Sequence, residues 1–237
     1  MKKIIFFLIM SLFLFQSCKK EEEEIEQITF NPSITYGSMT DQHGNVYKKV
    51  TIGTQVWMAE NLRTTTYRNG DEIKHEDDAT KWAETTSGAY CYYNNESRYI
   101  PVYGLLYNGY AARDSRNICP VGWHLSTDND WTILVDYLGG KDQAAEKLKE
   151  TTDSHWRSPG TNASGFTALP GGYIVKWITT FGIPYNGPAV FFSFGSDGEG
   201  CWWTLDSYWS ISYFCRKQIS GADWFRHIGR SIRCVKD

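Results

Sequence analysis

Cys119-Pro-Val-Gly-Trp-His-Leu-Ser-Thr-Asp-Asn-Asp-Trp131 is the stretch whose reading decides the fold. It runs from a cysteine through a Pro/Gly turn and a short apolar strand to Ser126, a residue able to cap the helix that follows. In that helix Trp131, Leu134, Val135 and Leu138 recur at i, i+3, i+4 and i+7, and Asp128 and Asp130 sit in the first turn, where acids suit the helix dipole. Gly139-Gly140 ends it. A second helix is predicted from about Lys141 to Glu150, with Ala144, Ala145 and Leu148 on one face. The chain closes on Ser231-Ile-Arg-Cys-Val235, a strand that carries another cysteine, so a Cys119–Cys234 disulfide would tie the end of the sequence to its middle.

Upstream, Val46, Lys48, Val50 and Ile52 alternate with Tyr47, Lys49 and Thr51, Gly53-Thr54 supplies a turn, and Gln55 to Met58 runs back, which predicts a β-hairpin. Between Asn61 and Arg116 turn residues, aromatics and charges intermix, predicting irregular structure with short helices near Asp78 to Glu84 and Tyr107 to Asp114. Downstream of His155-Trp156 the signals are β: Phe166 to Leu169, Tyr173, Val190 to Phe194, Cys201 to Leu205, Tyr208 to Cys215, and Ser231 to Val235. Short strands around glycine turns, with two helices beside them, predict an α+β domain with a twisted antiparallel sheet, two central helices and long loops.

Met1-Lys2-Lys3, the apolar run Ile4 to Phe15 and Gln16-Ser17-Cys18 read as a secretory signal over residues 1–17, with Leu14 and Cys18 resembling a relaxed bacterial lipobox. The expectation is a lipidated Cys18 and an acidic tether over 18–40, followed by a domain over 41–237. Cys18-Lys19-Lys20 followed by Glu21 to Glu24 resembles an export signal to the outer face of the outer membrane, which places the protein there as a lipid-anchored surface protein. Without residues 1–17 the chain carries 22 basic and 27 acidic residues, a formal charge of −5, so there is no basic footprint for nucleic acid. No stretch after Cys18 approaches the roughly 18 apolar residues of a membrane-spanning helix. The membrane partner would be reached through the lipid alone.

Gln55-Val-Trp-Met-Ala-Glu-Asn-Leu62, Cys119 to Leu125, Asp130-Trp131, Gly165-Phe-Thr-Ala-Leu-Pro-Gly-Gly-Tyr173, Trp202-Trp203 and Ser231-Ile-Arg-Cys-Val-Lys-Asp237 occur in this order. Together they resemble the Fibrobacter succinogenes major paralogous domain family, common on secreted and lipid-anchored bacterial proteins. That family resembles in turn the C-type lectin-like and formylglycine-generating-enzyme-like superfamily, which implies a C-type lectin-like fold. The helix-opening motif departs from the superfamily pattern: Leu125 to Trp131 lacks the usual proline and has Asp130 in place of Glu.

For catalysis there is no H-E-x-x-H, C-x-x-C or phosphate loop, and His43, His75, His124, His155 and His227 are scattered. His124 reads as a hydrogen-bonded structural histidine. Of six cysteines five follow Cys18, so one at least is left over; Cys201 with Cys215 reads as a cross-strand disulfide, and Cys91 as a buried thiol. A copper-binding use of Cys201 and Cys215, which formylglycine-generating enzymes would imply, is the third reading. No catalytic residue, cofactor or metal ligand is assigned; calcium has oxygen-rich candidates at 71–78, 128–130 and 197–199, but none has EF-hand spacing. Trp177, Tyr185, Tyr208, Trp209, Tyr213 and Trp224 lie in or beside the late loops and could stack on sugar rings. The leading expectation is therefore a non-catalytic domain binding glycan, fibre or protein. A structural or adhesive subunit without a small ligand is the alternative.

Overall fold

The computed structural model describes residues 25–175, 190–192, 199–211 and 226–237, with the backbone alone at 190–192 and 210. Its strands are β1 (Gly37–Thr40), β2 (Val46–Ile52), β3 (Gln55–Met58), β4 (Lys74–His75), β5 (Ala89–Tyr92), β6 (Leu105–Asn108), β7 (Trp123–Leu125), β8 (Tyr173–Val175), β9 (Val190–Phe192), β10 (Cys201–Trp203), β11 (Tyr208–Ser210), β12 (Gly229–Arg230) and β13 (Cys234–Lys236). The helices are α1 (Ala79–Glu84), α2 (Ile100–Tyr103), α3 (Gly109–Ala112), α4 (Asp128–Tyr137) and α5 (Lys141–Leu148). A five-stranded sheet has the order β1-β2-β3-β13-β7, a six-stranded sheet the order β4-β5-β6-β12-β8-β9, and β10-β11 forms a separate hairpin. Pairing is antiparallel except between β4 and β5. The domain is thus mixed α+β, with antiparallel sheets and few, short helices.

The alternating hairpin forms as read, with Val50 opposite Trp57. Asp78 opens α1 by accepting from the amides of Thr80 and Lys81, both at 2.9 Å. The opening of α4 differs from the expectation. Thr127, not Ser126, is the cap: its hydroxyl accepts from Asp130 N at 3.1 Å while Asp130 Oδ2 accepts from Thr127 N at 2.8 Å, a reciprocal capping box. Ser126 is buried instead, donating to the Trp203 carbonyl and accepting from Trp131 Nε1 at 3.1 Å.

Other boundaries shift for identifiable reasons. Phe166 to Leu169 makes no strand beyond a single bridge at Ala168, because Thr167 takes a φ of 55°, held there by Asn162 Oδ1 accepting from its amide. Of the expected strand Ser231 to Val235 only Cys234 and Val235 join a strand, β13; residues 231–233 cross to it from β12 in the other sheet. Tyr107 and Asn108 finish β6, and Asn108 caps α3 by accepting from Ala111 N at 2.8 Å. The tether expected up to Thr40 is partly drawn into the body. β1 pairs with β2, Phe30, Ile34 and Tyr36 pack against a core cluster, and the ordered part begins well before Asp41.

One core cluster is an aromatic stack in which Trp57, Trp131, Phe166, Trp202 and Trp209 meet. Trp131 lies 5.1 Å from Trp57 edge-on and 5.7 Å from Trp209 face to face. Each such ring contributes about 1.5–3 kcal/mol by burial, and each well-placed pair about 0.5–1.5 kcal/mol more. Val235 of β13 sits between Trp57 and His124 in register, so the sheet is completed by the last strand. Beside it Cys119 and Cys234 form the expected disulfide, across 115 residues of sequence.

Candidate functional site

In the Cys119–Trp131 segment the cysteine, the two tryptophans, His124, Ser126, Thr127, Asp128 and Asp130 are all engaged in structure. His124 bridges two carboxylates, with Nδ1 2.8 Å from Asp237 and Nε2 3.2 Å from Asp130. Asp128 does more than complement a helix dipole. Its buried carboxylate accepts from Thr204 Oγ1 at 2.9 Å and Ser207 Oγ at 2.5 Å, while Arg113 donates to the carbonyls of Thr204, Leu205 and Ser207 from the other side. The β10–β11 turn is thereby clamped between α4 and α3. Among the described residues no group of three His, Cys, Asp or Glu side chains is arranged to hold a metal.

Of the aromatics expected to meet a ligand, Trp177, Tyr185, Tyr213 and Trp224 lie outside the described residues, as does Cys215, the expected partner of the buried Cys201. Trp209 is corrected to core: pairing of β11 with β10 sets it opposite Trp202 and turns it onto Trp131, leaving it 3% exposed. Tyr208, one residue earlier and on the other face, is half-buried, with the Arg230 guanidinium 3.7 Å above its ring. Cys91 is a buried free thiol whose pKa burial pushes well above its ordinary value, so it is not a nucleophile at neutral pH.

An open cleft of about 540 Å³ lies elsewhere, lined among others by His43, Thr65, Thr66, Glu72, His75 and Tyr90. Its first wall is the turn after β1, wound around Asp41, which accepts from the amides of His43 and Asn45 and from the Tyr47 hydroxyl at 2.6 Å. The second wall is the 65–75 segment, narrowed by the Thr66–Glu72 bridge and joined to the first by Gln42 Nε2, which donates to the Thr66 carbonyl at 2.6 Å. The parallel β4–β5 pair sets His75 beside Tyr90, stacked at 5.2 Å, with Tyr92 at 4.3 Å behind it. Thr66 Oγ1 and His75 Nε2 are buried here without a hydrogen-bond partner, as is the neighbouring Gln42 Oε1. Such orphaned atoms cost about 1–3 kcal/mol each unless a partner arrives. Sequence reading missed this cleft, since its residues carry no motif and only the topology gathers them.

A buried ion pair was missed as well. Glu150 and His155 meet at 2.5 Å, Thr152 donates to the same carboxylate, and the peptide stretch of Glu26 and Thr29 bonds to the pair. Burial opposes protonation of His155, but the hydrogen bond and charge of Glu150 prevail and raise its pKa above the ordinary value. Enclosed by its own chain, this pair serves as a latch for the N-terminal stretch.

The molecule is therefore an α+β domain, closed by a disulfide and built on antiparallel sheets, with its aromatic signature residues in the core and an open polar cleft on its flank. The sequence profile of the Fibrobacter succinogenes major domain matches residues 50–236, and the chain belongs to that family. No curated protein matches the chain, and no solved structure does.

Proposed function

We propose that this chain is a non-catalytic binding module with C-type lectin-like kinship, held on the outer membrane surface by a lipid on Cys18, and that it binds a glycan. The observation that carries the reading is the cleft beside β4 and β5. It joins an aromatic wall, Tyr90 stacked on His75, to a hydroxyl and a ring nitrogen with unmet hydrogen-bonding capacity, Thr66 Oγ1 and His75 Nε2. Sugars present that combination in reverse: an apolar ring face and hydroxyls that both donate and accept. The non-catalytic reading is supported by His124 and His155, both held in carboxylate contacts that position structure. The Cys-Lys-Lys-Glu sequence at residues 18–21 supports the surface anchor.

The test is a carbohydrate array followed by calorimetry on the full chain, with Thr66→Val and His75→Phe variants. Loss of one hydrogen bond to a bound sugar should weaken binding by about tenfold per variant. A chain that binds nothing across broad panels, or variants that bind as the parent does, would sink the cleft as a glycan site.

A further inference from the structure

Two arginines three positions apart are both buried, and they are treated in opposite ways. Every nitrogen of the Arg233 guanidinium is bonded: Nε donates to Asn61 Oδ1 at 2.8 Å, Nη2 to the Thr167 carbonyl at 2.9 Å, and Nη1 to the carbonyls of Met58 and Phe166. Arg230, only 3% exposed, has neither Nε nor Nη1 bonded to anything. Three rings lie against its guanidinium, Tyr208 at 3.7 Å, Trp203 at 4.6 Å and Tyr173 at 5.7 Å. The Cys201 and Glu199 side chains act on it electrostatically.

Ring faces attract a cation but accept none of its directed N–H bonds, so the Nε and Nη1 donors of Arg230 are left without acceptors in a low-dielectric setting. The surroundings add positive charge. Arg113 covers the Trp203 ring at 4.7 Å, and burial together with Arg230 and Arg226 lowers its pKa to about 10. Tyr173 and Tyr208, which flank the fork, are only half-buried, so Arg230 lies one side chain below the surface. Cross-strand register puts it in line with the glycan cleft: His75 is opposite Tyr90, Tyr90 opposite Tyr107, and Tyr107 opposite Arg230. Residues directly opposite share a sheet face.

We propose that Arg230 is the receptor for a ligand carboxylate, and that the ligand class is an acidic glycan bearing uronate units. A carboxylate oxygen accepts a charge-assisted bond from an N–H that now has no acceptor, and the flanking tyrosines suit the ring that carries it. This narrows the glycan reading above and depends on it for the sugar part. It assigns Arg230, at a position apart from the cleft, as the determinant of acid preference.

The experiment uses the full chain, calorimetry and three probes: oligogalacturonate, the same oligomer methyl-esterified, and a glutamate-rich peptide. The parent should prefer the acid oligomer to its ester by about 10- to 100-fold, and Arg230→Met should abolish that preference. Arg230→Met should also melt no lower than the parent, because a buried charge with two nitrogens lacking hydrogen bonds has been replaced by an apolar side chain of similar length. Equal binding of acid and ester overturns the proposal while leaving neutral glycan binding intact. Equal binding of the peptide overturns the sugar assignment. An Arg230→Met chain that retains the preference excludes Arg230 as its source, and should that variant fail to fold, the parent's acid-to-ester ratio decides alone.

Discussion

Replacing Cys119 and Cys234 together by alanine tests how the domain is held closed. The bridge spans 115 residues, both sulfurs are buried, and Cys234 lies in β13, the strand that joins β3 to β7. Chain-entropy reasoning for a loop of this length gives about 4.8 kcal/mol at 25 °C, an upper figure because the unfolded chain retains some structure. A loss of about 3–5 kcal/mol is expected. At about 2–4 °C per kcal/mol for a domain of this size, the melting temperature should fall by about 6–20 °C. The urea m value should rise, because the unlinked denatured chain exposes more surface. Cys91→Ala is the control: it removes a buried sulfur without cutting a link and should cost about 1 kcal/mol with m unchanged. Denaturant melts under non-reducing conditions supply both quantities. A double variant melting within about 2 °C of the parent, with the same m value, would refute the idea that this bridge works by restraining the unfolded chain.

Asn61→Ala removes the Oδ1 that accepts from both Arg233 Nε and Trp202 Nε1, leaving a buried guanidinium short of a partner; a loss of about 3–5 kcal/mol in urea melts is expected, and one under 1 kcal/mol would count against it. Asp128→Asn should release the β10–β11 turn, costing about 1.5–3 kcal/mol, with hydrogen exchange at the Leu205 and Ser207 amides accelerating ahead of the core. The raised pKa of His155 gives stability that is fully present below the ordinary histidine value of about 6.5 and lost as pH rises through the folded value. Melting temperature should therefore decline through that window in the parent and less so in His155→Gln, and identical pH profiles for the two would argue against the latch.

What could be read from the residues was whatever is local. The β2–β3 alternation and the i, i+3, i+4, i+7 pattern of α4 are fixed within a dozen residues, so they were legible. Choosing Ser126 over Thr127 as the cap failed because both are good caps; the deciding fact, Asp130 reaching back, was present in the sequence as Thr127-x-x-Asp130. Arg230 and Arg233 look like solvent-facing charges in a terminal strand, and nothing nearby reveals that Asn61 or Phe166, far away in sequence, buries one of them. The same applies to the cleft. His43, Thr66 and His75 become neighbours only when β5 accepts β4 as a parallel partner, and a two-residue strand leaves almost no periodic trace. Residues 28–36 lack any repeat, yet Phe30, Ile34 and Tyr36 find the surface of a core that is built from much later residues.

The position of β13 has a consequence in time. A chain made from its N-terminus presents β1, β2, β3 and β7 early, but the space between β3 and β7 can be filled only by residues 234–236. Until those residues arrive, the edges of β3 and β7 that they pair with remain open. Contacts so distant in sequence are slow to form. Pairing of β13 with both neighbours is therefore expected to be a late step of folding, after β1, β2 and β3 have met.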